Sequence, residues 1–205
     1  MNINSIGPNA FIVDFDTSDL VIASFKHLKM GIPHLFEEVI LGADTIVIKA
    51  AERVAITSSG IAEMLNDVVV IAGSRDQKEI EIPTIYDGQD LNDVATLTGL
   101  AVREVIDLHR AAPYTVSFLG FAPGFAYLVG LHPSLELPRL NSPRGLVPKG
   151  SVAIAEGYSA VYPNPSPGGW RLIGRTELNL WDPSAPEPAL LQPGDSVRCV
   201  ERRIK

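Results

Sequence analysis

The chain has 205 residues, 46% of them hydrophobic and 20% charged, with a formal net charge of -7 at neutral pH. That is an ordinary globular composition, enough for one large domain or two small ones. Its acidity argues against a general nucleic-acid binder, which needs a basic face to release counterions from phosphate. No apolar run approaches the ~20 residues that span a bilayer, so no membrane partner is expected. The opening MNINSIGPNAF lacks the basic and apolar regions of a signal peptide, and the single cysteine, Cys199, excludes an internal disulfide. Both observations predict a cytoplasmic protein. Cys199 alternates with Val197, which predicts a small buried strand residue rather than a nucleophile.

AFIVDF (10–15) reads as a buried strand. From Ser18 to Met30, Val21, Phe25 and Leu28 recur at helical spacing, and Gly31 with Pro33 ends the run. LFEEVIL (35–41) puts Leu35, Val39 and Leu41 on one strand face, and the GAD turn leads into TIVIKA (45–50) as a hairpin. Ile61, Met64 and Leu65 mark a short second helix, and DVVVIAGS (67–74) a further strand. The predicted order is β-α-β-β-α-β, a ferredoxin-like α+β domain over residues 1–82 with a docking or scaffolding role. His27 and His34 lie seven residues apart with no acidic or cysteine cluster at convergent spacing, so no metal site is expected.

Residues 83–205 are expected to form the second domain. Asp90 is placed to cap a helix with apolar residues Leu91, Val94 and Leu97, ended by Gly99. VREVIDLHR follows as a second helix that buries Val102, Val105 and Ile106. His109 lies one turn beyond Ile106: a satisfied structural histidine is the simpler reading, and a catalytic proton carrier the alternative. Beyond Tyr114 come the strand-like segments YTVSFLG, SVAIAE, SAVYP, WRLIG, TELNLW and SVRCVE, separated by Gly and Pro. Short strands at that spacing predict a mainly antiparallel β-barrel with the helical pair at its entrance.

Four loops carry more than connection requires. GFAPGF (120–125) surrounds a proline with two Gly-Phe pairs. Its glycines, Gly124 among them, permit close backbone approach, and Phe121 and Phe125 are placed to wall a pocket. PRLNSPRG (138–145) sets Arg139 and Arg144 on one proline-stiffened loop, two guanidinium forks suited to a carboxylate or phosphate. VPKGSVAIAE (147–156) turns tightly into a strand. YPNPSPGGWRLIG (162–174) combines Tyr162 with Gly168, Gly169 and Trp170. Each loop alone reads equally well as a barrel corner, but binding residues concentrate on rigidly held loops.

The succession YDGQDL, VATLTGL, GFAPGFAYLVGL, PR-x3-PR, VP-x-GSVAIA, SPGGW and LLQPGDSV resembles the KipI-like, allophanate hydrolase subunit 1 family, strongly over residues 80–200. The resemblance implies a cyclophilin-like barrel after the α+β domain. It further implies the role of a B-type 5-oxoprolinase subunit, which works with a C-type subunit of the allophanate hydrolase subunit 2 family and a LamB/YcsF-type A subunit. Together such subunits use ATP to open 5-oxo-L-proline to L-glutamate.

ATP use asks for a phosphate cradle, and the chain contains no G-x4-GK[ST] loop. The isolated chain is therefore expected to be inactive, with ATP used by the assembled complex and no cofactor held tightly here. Two other classes stay open: a carboxyltransferase-type or allophanate hydrolase subunit, and an inhibitor of a sensor histidine kinase. Proline isomerisation is disfavoured, because a shared fold is not a shared site.

Overall fold

A computed structural model describes residues 1–69 and 78–202, the side chain of Ser18 excepted. The chain divides into two compact units, Met1–Asp76 and Gln77–Lys205. The division falls before the expected boundary at residue 82, because residues 79–84 pair within the second unit.

In the first unit, β1 (Asn2–Gly7) and β2 (Ala10–Asp14) form a hairpin. Pro8 and Asn9 make its turn, Asn9 with φ 56°, a conformation Asn tolerates better than most residues. The helix α1 (Ser18–Lys26) runs into one wider turn at His27–Gly31, and β3 (Phe36–Leu41), β4 (Thr45–Ala50) and α2 (Ser58–Asn66) follow. The Thr57 hydroxyl accepts the Gly60 N–H at 3.1 Å and fixes the start of α2. All pairings are antiparallel, in the order β1-β2-β4-β3. Alternation buries Phe11, Val13, Ile46 and Ile48; the helices bury Val21, Leu28, Ile61 and Leu65.

The sequence missed β1, an edge strand whose NINSIG carries little apolar alternation. In β3 the register shifts between Phe36 and Glu38, so that Phe36 rather than Leu35 is buried together with Leu41, which is buried as expected. Of the expected strand 67–74, residues 67–69 are not strand and residues 70–74 lie outside the described residues. The ferredoxin-like order is thus matched only from β2 to α2, and among the described residues the unit is an antiparallel sheet with two α-helices.

The second unit begins with β5 (Glu79–Thr84), then α3 (Leu91–Thr98) and α4 (Val102–Ala111). A run of strands follows: β6 (Tyr114–Leu119), β7 (Ala126–Val129), β8 (Arg144–Val147), β9 (Ser151–Ala155) and β10 (Tyr158–Val161). The last are β11 (Ser166–Gly168), β12 (Arg171–Arg175) and β13 (Ser196–Glu201). Seven strands form one sheet in the order β12-β9-β10-β7-β6-β13-β5, antiparallel except for β13 and β5. β8 and β11 form a separate two-stranded ribbon. TELNLW (176–181), expected as a strand, makes only a bridge from Trp181 to Ala189. Its alternation reflects the burial of Thr176 and Leu180 rather than strand pairing.

The large sheet nearly closes on itself. Ile85 and Arg175 exchange two backbone hydrogen bonds of 2.8 Å, joining the end of β5 to β12. The chain continues along β12, with Gly88 N–H donating to Ile173 C=O at 3.2 Å and Asp90 N–H to Leu172 C=O at 2.9 Å. This approach needs a glycine, because a Cβ on Gly88 would fall within the backbone of Ile173 and Gly174. β9 is buried along its whole length. Val152 and Ile154 join one core with Ile82, Val116, Leu128 and Ile173, while Ala153 and Ala155 belong to a second, aromatic one.

On α3 the buried set is Leu91, Val94 and Ala95, with Leu97 exposed; on α4 it is Val105, Ile106 and His109, with Val102 at the surface. Cys199 is buried on β13, as its alternation with Val197 predicts, and burial pushes its thiol up to about 12.

Gly88→Ala should cost about 1–3 kcal/mol of stability by overpacking the closure. Gly145→Ala, whose Cβ would meet open space, should change stability by less than about 0.5 kcal/mol. Urea denaturation of the two variants checks the difference.

Candidate functional site

Ala153, Ala155 and Ala160 give the second core a shallow floor, and large rings fill the space above it. Phe125 is the hub. It meets Tyr162, Trp170, Tyr127 and Phe121 edge to face, with centroids 5.2, 5.5, 5.2 and 5.2 Å away. Edge-to-face contacts of this kind are worth roughly 0.5–1.5 kcal/mol each beyond burial, so the cluster is rigid.

The GFAPGF loop is two consecutive tight turns. Ala122 N–H donates to Gly120 C=O at 2.8 Å around Phe121, whose φ is 69°. A three-residue turn with positive central φ is strained for a bulky residue. Phe125 N–H then donates to Ala122 C=O at 3.0 Å around Pro123 and Gly124, with φ 78° at Gly124. Proline followed by a left-handed glycine is the type II pattern. A Cβ on Gly124 would lie 2.9 Å from Trp181 Cβ and 3.2 Å from Leu180 O. Gly124 therefore serves the turn and faces Trp181, away from the aromatic pocket. Phe121 is 62% exposed, an aromatic ring that strain holds at the surface.

The rings bound a pocket of about 280 Å³. Phe121, Phe125, Tyr127, Tyr162 and Trp170 form its aromatic walls, and Leu140, Pro143 and Pro167 add aliphatic surface. Gly168 and Gly169 supply backbone, and Arg139 the charge. The ribbon of β8 and β11 thus flanks the pocket through Pro143, Pro167 and Gly168. Burial raises the Tyr162 phenol above its usual range, opposed by the Trp170 backbone and the Arg139 charge. Burial likewise raises Tyr127.

Seven of the sequence-derived candidates are gathered here: Phe121, Phe125, Arg139, Tyr162, Gly168, Gly169 and Trp170. Tyr127 was missed, although its i+2 spacing from Phe125 places both on one strand face. The two arginines part company. Arg139 Nε and Nη2 donate to Glu156 Oε2 at 3.0 and 2.9 Å; both side chains are half exposed, so the pair contributes little to stability. Arg144 is drawn away from the pocket, donating to Asp90 Oδ1 at 2.6 Å and to Trp170 C=O at 3.3 Å. With its amide oriented to suit, the Gln89 side chain accepts from Arg144 as well.

His109 has a core position. It is fully buried, with Tyr86 Oη 2.8 Å from Nδ1 and Ser159 Oγ 2.9 Å from Nε2. If Tyr86 donates to Nδ1 and Nε2–H donates to Ser159, the Ser159 hydroxyl is free to donate to Ala153 C=O at 3.4 Å. That tautomer satisfies every group. Burial lowers the His109 pKa to about 3, so the ring is neutral and structural rather than a proton carrier open to substrate. Among the described residues, no cluster of His, Cys, Asp and Glu is arranged to hold a metal.

The family model described as carboxyltransferase domain, subdomain C and D, matches residues 1–191. The chain is 51% identical over 127 residues to the 5-oxoprolinase B subunit of Escherichia coli, covering 60% of this chain and 58% of that one. It is 40% identical over 179 residues to the Bacillus subtilis 5-oxoprolinase B subunit, covering 86% of this chain and 67% of that one. The Haemophilus influenzae protein of the same name is 44% identical over 131 residues, 62% of each chain. The matches thus span little more than half to two thirds of these relatives' lengths. Among solved structures, TTHA0988 superposes with a TM-score of 0.84 at 32% identity, over 96% of this chain and 40% of that one. PH0987 of Pyrococcus horikoshii does so with 0.59 at 35% identity, over 98% and 97%. The Kluyveromyces lactis urea amidolyase shares the fold, with a TM-score of 0.72 at 19% identity over 98% of this chain and 15% of that one.

A histidine whose folded pKa is depressed takes up a proton more readily when unfolded. Its contribution is present in full above the unfolded value of 6.5 and is lost as pH falls toward about 3. Stability should decline through that window by up to about 1.4 kcal/mol per pH unit on this account. His109→Gln should flatten that component, as measured by urea denaturation across pH. Arg144→Ala should cost about 1–3 kcal/mol by leaving the buried Asp90 carboxylate short of a partner. Arg144→Lys should recover little of it, because an ammonium lacks the fork; thermal melts compare the two.

Proposed function

The chain belongs to the carboxyltransferase domain, subdomain C and D, family, and from that premise we propose that it is the B-type subunit of an ATP-dependent 5-oxoprolinase. In this reading it acts in the cytoplasm with a C-type and a LamB/YcsF-type A subunit to convert 5-oxo-L-proline to L-glutamate. The observation that carries the proposal is its identity to three proteins named as the B subunit of 5-oxoprolinase. We read the second unit as a cyclophilin-like barrel put to this use.

The chain's own part in the reaction is to hold the substrate. A five-membered lactam ring is small, flat and largely apolar on its faces, which suits the edges of Phe125, Tyr127 and Trp170. Its carboxylate needs a cation, and Arg139 supplies one at the pocket. Two donors of Arg139 face Glu156, which leaves Nη1 for a second carboxylate. Gly168 and Gly169 let the ligand approach the backbone closely. Rigid walls reduce the entropy lost on binding and fix the ring's orientation for a partner's catalytic groups.

ATP does not fit the loops of this chain that most resemble phosphate binders. In PKGS, Gly150 N–H donates to Tyr162 C=O at 2.8 Å and Ser151 N–H to Pro148 C=O at 3.3 Å. Lys149 Nζ is engaged by Asn179 Oδ1 at 2.8 Å. In GFAPGF the N–H groups of Gly120, Ala122 and Phe125 are used within the loop. Neither is a nest of free amides, so no ATP-dependent step is assigned here.

The isolated chain should fold without turning over 5-oxoproline, and ATP-dependent glutamate formation should appear once the C-type and A-type subunits are added. Robust activity from this chain alone would sink the assignment. In the assembled enzyme, Arg139→Ala should raise KM for 5-oxoproline roughly ten- to a hundred-fold, the loss of a charge-assisted hydrogen bond, while pull-down of the partner chains is unchanged. An unaltered KM would remove this pocket from the substrate site.

A further inference from the structure

We propose that the Tyr162 hydroxyl reads the lactam oxygen of the ligand in the aromatic pocket, and so determines its specificity for 5-oxoproline over ring carboxylates that lack that oxygen. The inference rests on the substrate reading above and deepens it.

The backbone and ring of Tyr162 are both held in place. Its N–H donates to Ser151 C=O at 3.0 Å and its C=O accepts from Gly150 N–H at 2.8 Å, so the backbone is fixed on both sides. Its ring is 1% exposed and meets Phe125 at 82° between planes. The hydroxyl reaches Gly168, where it occupies the place a Cβ would take. Gly168 lines the pocket, so the hydroxyl stands at its wall.

A phenol both accepts and donates one hydrogen bond. The Trp170 backbone serves the accepting side. Among the described residues, no acceptor takes the hydroxyl's own proton. Burial holds the phenol above its ordinary range, so it remains a donor at any working pH. The neighbouring wall residues Phe125 and Pro167 carry no side-chain donor; besides Arg139, the other donors of the lining are the Tyr127 hydroxyl and the Trp170 indole N–H.

5-Oxoproline carries its carboxylate and its lactam oxygen on the two ring carbons that flank nitrogen. With the carboxylate at Arg139, the ring lies between that guanidinium and the Tyr162 hydroxyl, on which the Arg139 charge already acts. Two polar contacts at opposite ends of a flat ring fix its position. A site built to bond an oxygen discriminates strongly against an analogue without it, because its donor is then left unpaired.

The test compares two ligands on two proteins. Full-length wild-type chain and Tyr162→Phe are titrated with 5-oxo-L-proline and with cyclopentanecarboxylate, which keeps ring and carboxylate but lacks the lactam. Binding is followed by calorimetry and by tryptophan fluorescence, Trp170 being in the wall. Wild type should prefer 5-oxoproline, and the variant should lose about tenfold for it, as expected for one hydrogen bond, with less than twofold change for cyclopentanecarboxylate. Equal losses for both ligands, no loss, or no preference in wild type would each overturn the proposal. Should Tyr162→Phe fail to fold, the wild-type comparison of the two ligands still tests the proposal, and absence of a preference for 5-oxo-L-proline overturns it. Turnover by the assembled enzyme separates the two levels of inference. Turnover without a ligand-selective effect leaves the enzymatic reading standing and defeats this one. A selective effect without turnover does the reverse.

Discussion

Asp90 divides its carboxylate between two parts of the chain, and the architecture of the second unit depends on that division. One oxygen accepts the Leu172 N–H at 2.7 Å and the other accepts Arg144 at 2.6 Å. The first bond holds the chain after β5 against β12, where the sheet nearly closes. The second ties down the ribbon that flanks the pocket, and Arg144 extends the link to the Trp170 carbonyl. A carboxylate this deeply buried is tolerable only because both oxygens are matched. Asp90 stands at the start of α3, yet its side chain makes no bond to that helix. Barrel closure has taken the group that helix capping would have used.

Closure also decides where small residues are needed. β9 is covered on both faces, so its alternation separates two kinds of packing rather than core from solvent. Val152 and Ile154 fill the barrel on one side. Ala153 and Ala155 are short enough on the other to let a layer of rings lie flat. The pocket is the space those rings leave. Its rigidity comes from edge-to-face packing around Phe125, and its one strained element is the turn that holds Phe121 at the surface. Strain in that turn persists because two tight turns and a packed ring over-determine the backbone.

Arg139 and Arg144 occupy equivalent places in a repeated Pro-Arg pattern and have different roles. Arg144 has a buried acid within reach and becomes part of the framework. Arg139 finds only half-exposed Glu156, a weak competitor in water, and keeps its charge available beside the aromatic walls. A chain with a formal charge of -7 thereby presents a local cation where an anionic ligand would sit.

The sequence by itself determined the periodicities and the turns. Strand alternation identified most of the barrel strands, and the spacing of Val197 and Cys199 placed the thiol inside. The loops rich in Gly, Pro and aromatic residues stood out, and seven of their residues meet in one pocket. These signals are local: each depends on backbone geometry within a few residues. Only the tertiary structure decided which polar groups were already engaged. His109 could be assigned to the core only once Tyr86 and Ser159, 23 and 50 residues away, were seen to bond its two nitrogens. The withdrawal of Arg144 required Asp90, 54 residues distant, and Gly124 turned to Trp181 rather than to the pocket. β1 and the β8–β11 ribbon were hidden for a related reason, since a strand with weak alternation is defined by the neighbour it pairs with. Hydrogen-bond partners and pairing are long-range choices made by closure of the sheet, and residue spacing carries no record of them.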